Sequence, residues 1–268
     1  MINYLFPEGR RLVLTFSYDD GNRTDIRVAD ILTEAGLKGT FNFCGKMLQR
    51  EGKVTADEVK PLFIDRGHEV ACHGFEHPFE EKLPLQCVVE DIRTDRLVLE
   101  KAAGTLVRGM AYPYGTFSPD VKNILRALGI AYCRTVRNSR TTYMPDDFLE
   151  WDPTTHHNGD ILERGETFLK TPGWYGTHML YIWGHAYEYE NAKNWFILEN
   201  FCKLMKGHGD TVWYATNIEI CDDIQAFRNL RFSMDLHTVF NPGAITVWVQ
   251  DNEGNAVAVP AGGYAELA

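Results

Sequence analysis

The chain has 268 residues, 44% of them hydrophobic and 24% charged, and a formal net charge of −10. This is an ordinary globular composition, long enough for one large domain plus an appendage. The acidic balance and the lack of a basic run argue against a nucleic-acid surface, and no uninterrupted apolar run is long enough to span a bilayer.

The N-terminal stretch MINYLFPEGRRLVL lacks the basic, apolar and small-residue segments of a secretory leader. The six cysteines (Cys44, Cys72, Cys87, Cys133, Cys202 and Cys221) are scattered, without CxxC spacing. Buried free thiols in a reduced compartment, the cytoplasm, are expected.

In chain order, Leu12–Tyr18 is an apolar, β-branched and aromatic run that reads as a buried parallel strand, and Asp19, Asp20 and Gly21 follow it. Asp25–Ala35 reads as a helix stopped by Gly36, Gly39–Cys44 as a strand, Thr55–Arg66 as a helix and Glu69–Cys72 as a strand running into His73. Leu85–Ala103 reads as a long amphipathic helix and Val107–Tyr112 as a strand closed by Pro113 and Gly115. Ser118–Leu128 reads as a helix capped by Ser118, with Pro119 at its first position. Ile130–Thr135 and, more briefly, Phe148–Trp151 read as strands. After the weakly patterned Asp152–His178 come a strand at Leu180–Trp183, a helix at Glu190–Met205, a strand at Thr211–Tyr214 and a helix at Ile218–Phe227.

Repeated βα order implies parallel strands with crossover helices, and there are enough units to close a barrel. From about Asn229 the texture changes: Leu230–Leu236, Ala244–Val249 and Ala256–Val259 read as strands between turns at Asn241-Pro242-Gly243 and Asn252–Asn255. The expected organisation is an α/β barrel over residues 1–228 and a small antiparallel β appendage over 229–268.

Adjacent carboxylates are costly to ionise together unless a cation lies between them. Asp19 and Asp20 end a strand, where α/β folds place their sites. His73 and His77 stand four apart just past another strand, in EVACHGFEHP. Two histidines and a carboxylate are a common ligand set for a hydrolytic Zn²⁺. His68-Glu69 begins like HExxH, but Cys72 holds the second histidine position and the motif is absent. Structural readings compete: Asp-Asp-Gly is an ordinary turn, paired histidines often satisfy a loop, and Glu76 reads as solvated. The convergence of strand ends on one rim favours the metal. Because successive strand side chains point to opposite sides, one aspartate can reach the metal while the other turns to water. His185, closing YIWGH, reads as a general acid or as a structural histidine. Trp151, His156, His157, Trp174 and Tyr175 either stack on sugar rings or fill space under a loop.

SYDDG, HGFEH, YPYG and YIWGH occur in the order, and at roughly the spacings, of the polysaccharide deacetylase family (carbohydrate esterase family 4, the NodB homology domain), which the chain resembles from about Arg11 to Phe227. The resemblance implies a distorted (β/α)7 barrel and removal of acetyl groups from an N- or O-acetylated carbohydrate by metal-activated water. It implies a divalent metal, Zn foremost and Co, Mn or Ni as alternatives, on Asp20, His73 and His77. Asp19 would be the general base, Tyr114 would offer its backbone N–H to the oxyanion, and His185 would protonate the leaving group. The family's arginine four residues before the loop glycine is Ala111 here, with Arg108 three residues earlier as a substitute. Asp152, beside Trp151, is the candidate partner of His185. These departures leave open a related C–N hydrolase acting on a small amide or cyclic ureide, or a non-catalytic carbohydrate-binding protein.

Overall fold

A computed structural model describes residues 2–172 and 176–268 of the chain; Trp174 and Tyr175 lie outside the described residues. The strands are β1 (Asn3–Leu5), β2 (Leu12–Asp19), β3 (Thr40–Phe43), β4 (Glu69–Cys72), β5 (Gly109–Ala111), β6 (Tyr132–Arg134), β7 (Thr155–His156), β8 (His178–Gly184) and β9 (Val212–Tyr214). Between and after them run helices α1 (Thr24–Ala35), α2 (Ala56–Leu62), α3 (Leu85–Ala103), α4 (Pro119–Ala127), α5 (Ile161–Leu169), α6 (Ala186–Ala192), α7 (Phe196–Met205) and α8 (Asn217–Arg228). All pairings in the main sheet are parallel, in the order β6-β5-β4-β3-β2-β8-β7. The fold is a distorted (β/α)7 barrel.

The distortions are local. On one edge β2 is shared, by β9 along Leu12–Leu14 and by β3 along Ser17–Asp19. Between β6 and β8 the sheet is carried by a short stretch of chain. Trp151 donates its N–H to Cys133 O, 3.1 Å, and accepts from Thr135 N–H, 3.0 Å, and β7 then pairs with β8.

The alternation along β2 positions the site. Leu12, Leu14, Phe16 and Tyr18 pack into the core under the helices, where Phe16 meets Phe201 of α7. Val13 joins Tyr132, Trp151 and Tyr181 in the barrel interior. Thr15, Ser17 and Asp19 fall on the same period-two face as Val13, and all eight residues of β2 are buried. A polar face inside a barrel needs partners. Thr15 donates to Asn217 Oδ1, 2.8 Å, and Ser17 accepts from Asn42 Nδ2, 2.8 Å, and Arg134 Nε, 3.2 Å.

Two readings are corrected. Phe148–Glu150 forms a 3-10 turn instead of a strand, with the Asp147 side chain accepting from Leu149 N–H. The helix read over Glu190–Met205 is two helices, α6 and α7, because Lys193 takes a left-handed conformation, φ 53°, that ends the first. Beyond α8, β10 (Arg231–Phe232), β11 (Thr238–Phe240), β12 (Val247–Gln250), β13 (Ala256–Val259) and β14 (Tyr264–Glu266) form two antiparallel three-stranded sheets, β1-β12-β13 and β10-β11-β14. The first recruits the N-terminal β1, which pairs with β12 from Asn3 opposite Gln250 to Leu5 opposite Trp248. Among the described residues no helix is long and apolar enough to cross a membrane, and all six cysteines are free.

Candidate active site

Asp19 ends β2 pointing into the barrel, and the chain then turns sharply. Asp20 has φ 82° and Gly21 φ 63°. The loop after β4 turns at Gly74, φ 73°, and at His77, φ 58°, and the loop after β5 turns at Tyr114, φ 58°. Asp20, His77 and Tyr114 are thus three of the seven non-glycine residues with positive φ among those described. Each such conformation costs on the order of 1–3 kcal/mol and persists where the surroundings hold it, commonly at sites. Here α3 holds the loop after β4. Asp95 Oδ2 accepts the His73 backbone N–H, 3.0 Å, and Asp91, one turn earlier, accepts those of Phe75, 2.7 Å, and Glu76, 3.2 Å.

These turns bring Asp20, His73 and His77 together. Asp20 Oδ1 lies 3.8 Å from Nε2 of each histidine, and the two Nε2 atoms are 3.2 Å apart. His73 Nδ1 is 2.8 Å from Ala111 O, which can only accept, so Nδ1 carries a hydrogen and the neutral ring turns a bare Nε2 to the cleft. Burial and the neighbouring His73 hold the His77 pKa below its usual value. A bare imidazole nitrogen facing a carboxylate oxygen sets two acceptors against each other, which a cation between them relieves. The donor set fits a divalent metal.

Asp19, 2% exposed, faces the same point. Its Oδ1 accepts from Asn42 Nδ2, 2.8 Å; its Oδ2 takes Arg134 Nη2 and lies 3.9 Å from His73 Nε2 and 4.0 Å from His185 Nε2. Burial works to raise the Asp19 pKa, but Arg134, then His73 and His185, outweigh it and hold the carboxyl below its ordinary value. Arg134 is fully buried. It also donates to Thr135 O, 3.0 Å, and lies 4.6 Å from the centre of the Trp183 ring. Arg108 does not reach: it pairs with Asp222 of α8.

His185 sits at the start of α6. Its Nδ1 is 3.2 Å from Glu188 Oε1, one turn on. Burial lowers its pKa, but Glu188, then Asp19 and Asp20, more than offset this and raise it overall. Asp152 does not meet His185. Its carboxylate takes the Thr135 hydroxyl and Arg137 Nε, 3.0 Å. Sequence reasoning therefore missed Arg134 and Glu188. The signal for Arg134 was a charged residue inside the strand Ile130–Thr135; for Glu188 it was a carboxylate three positions after His185 where a helix begins.

Asp19, Asp20, His73, His77 and His185 line one cleft of about 270 Å³, walled by Tyr112, Tyr114, Trp183 and Tyr187. The half-exposed Tyr114 ring stacks on Phe79, centroids 3.8 Å apart, and meets His77 edge-on. Trp151 is fully buried against Tyr132, Phe148 and Tyr181, so it fills space instead of facing the cleft.

A sequence model described as polysaccharide deacetylase matches residues 7–133, a span that takes in Asp19, Asp20, His73, His77 and Tyr114 but stops just short of Arg134. No curated protein matches the chain. Among solved structures, a Mycobacterium smegmatis protein assigned as a polysaccharide deacetylase aligns over 84% of this chain and 94% of its own at 16% identity, TM-score 0.63. The allantoinase Puue aligns over 81% and 91% at 14% identity, TM-score 0.63. A family 4 carbohydrate esterase from Streptomyces lividans, in complex with acetate, aligns over 76% and 91% at 15% identity, TM-score 0.50. At these identities the likenesses establish the fold. The matched span 7–133, just under half of the chain, and the shared fold bear out its resemblance to the polysaccharide deacetylase family.

Proposed function

We propose that the protein is a metal-dependent hydrolase that removes acetyl groups from an N- or O-acetylated carbohydrate. The observation that carries this is one cleft where the Asp20, His73 and His77 donors, an Asp19 carboxylate backed by Arg134, and His185 backed by Glu188 all face inward. Asp20, His73 and His77 would hold the ion, zinc first given two imidazoles and one carboxylate. When bound, a divalent ion supplies Lewis acidity, polarising the acyl oxygen and acidifying water towards neutral pH.

The chain's own groups supply the rest. Asp19, kept ionised by Arg134, accepts the proton of the attacking water. The Tyr114 backbone N–H, carried on its left-handed turn, donates to the developing oxyanion, an effect worth about 3–4 kcal/mol. His185, its proton retained by Glu188, passes that proton from Nε2 to the leaving amine or alcohol. Tyr114, Trp183 and Tyr187 present apolar faces against which a sugar ring packs and from which water is displaced.

Acetate release from acetylated chito-oligosaccharides tests this reading. Wild type is expected to release acetate, and Asp19→Asn to lose turnover while keeping its metal. Turnover of small amides or cyclic ureides without acetate release would replace the carbohydrate by a compact C–N substrate. Glycan binding without turnover, unchanged by Asp19→Asn, would overturn the enzyme reading.

A further inference from the structure

His185 has a second edge. Its Nε2 looks toward Asp19, and its Nδ1 looks away, into a separate cluster formed where β7 lies beside the first turn of α6. There His156 Nε2 is 3.2 Å from Glu188 Oε2, and His185 Nδ1 is 3.2 Å from Glu188 Oε1. One ligand atom from each of His156, His185 and Glu188 lies within 4.8 Å of the other two. The three side chains are 23%, 23% and 26% exposed, so the cluster is open to a diffusing ion.

A fourth residue stands behind them. His157, fully buried, donates Nε2–H to Glu188 Oε2, 2.7 Å, while its Nδ1 finds no partner. A ligating carboxylate is ordinarily fixed by such a hydrogen bond from outside the ligand set. The seat for His157 needs glycine at 184: a Cβ there would come within 2.4 Å of His157 Nδ1. Three imidazoles thus surround a single carboxylate, and burial holds the His157 pKa below its usual value. Two imidazole nitrogens and a carboxylate within this spacing are a zinc-type donor set.

We infer that His156 Nε2, His185 Nδ1 and the Glu188 carboxylate form a second transition-metal site, distinct from Asp20, His73 and His77, that takes Zn²⁺ and shuts the enzyme off when filled. An ion on Nδ1 displaces the proton that His185 shares with Glu188. The ring then stays neutral, with its one hydrogen on Nε2. A neutral imidazole is a far weaker acid than an imidazolium, so the leaving group loses its proton source. Binding of the ion needs only this cluster; the inhibition rests on the proposed role of His185.

Equilibrium dialysis against Zn²⁺ alone, with element analysis, tests the site independently of activity. Wild type is expected to saturate at two zinc ions per chain. His156→Ala and the better space-filling His156→Gln are expected to saturate at one, as is His77→Ala. Wild-type saturation at one ion, or an unchanged stoichiometry in both His156 variants, overturns the site. If His77→Ala kept two ions, the first ligand set would fail and this one would stand. Excess zinc is expected to cut wild-type turnover at least tenfold and leave His156→Ala unaffected; equal sensitivity of the two overturns the inhibition.

Discussion

Arg134→Met removes the arginine paired with Asp19 and leaves a similar volume of apolar side chain. Both partners are buried, with side chains 0% and 3% exposed. Breaking a buried pair by removing one partner costs about 3–5 kcal/mol. His73 and His185 remain at 3.9 and 4.0 Å, which places the expected loss at the lower end, about 3 kcal/mol at pH 8. The chain escapes that cost by protonating Asp19. Without Arg134 the burial that already works to raise the Asp19 pKa is opposed only by the two histidines, so the pKa rises.

The signs follow. In wild type the Asp19 pKa lies below its ordinary 3.8, so its stabilising contribution is present above that value and is lost as pH falls through the lower folded value. In the variant burial pushes the pKa up, so the stabilising contribution shrinks and stability declines as pH rises through the raised value. Urea unfolding at pH 5 and pH 8 should show the variant's deficit growing with pH. The acid limb of kcat/KM should move to higher pH. Arg108→Met is the control. Its pair with Asp222 is 34% and 46% exposed, so the loss should stay below about 1 kcal/mol with no movement of the limb. If Arg134→Met unfolds like Arg108→Met and leaves the acid limb in place, Arg134 does not hold Asp19.

Glu188→Gln should move the basic limb of kcat/KM to lower pH, because Glu188 is the largest influence raising the His185 pKa; a limb that stays put contradicts that pairing. His68 is buried, accepts the Gly39 N–H at Nδ1, 3.1 Å, and has its pKa lowered by burial from 6.5 to about 4. The unfolded chain therefore binds the extra proton between these values, and stability should fall by about 3 kcal/mol as pH drops from 6.5 to 4. Urea titrations of His68→Gln should lack that slope. At Gly109 an added Cβ would stand 2.2 Å from Tyr132 Oη, so Gly109→Ala should cost about 1–3 kcal/mol in the same titrations.

The strand that carries Asp19 was legible because its eight residues are buried on both faces, and such strands read as unbroken apolar runs. Asp20, His73, His77 and His185 were legible as chemistry-bearing residues at strand ends. The partners of Asp19 and His185 were not. Arg134 reaches Asp19 across the barrel interior from 115 positions away, a contact that no local pattern encodes. The resemblance offered Asp152, beside Trp151, for His185, but two side chains from the loop after β6, Thr135 and Arg137, hold that carboxylate. The break between α6 and α7 falls at Lys193 and Asn194, neither a glycine nor a proline, so helical periodicity ran through it. The pairing of β1 with β12 joins residues 247 positions apart, and a three-residue strand has no pattern of its own to announce it.

The most direct test is anomalous diffraction from crystals grown with one equivalent of Zn²⁺. The expected result is a peak about 2.0–2.2 Å from Asp20 Oδ1, His73 Nε2 and His77 Nε2 together. Zinc found elsewhere, with those three side chains still facing one another around an empty point, would contradict a metal centre at this cleft.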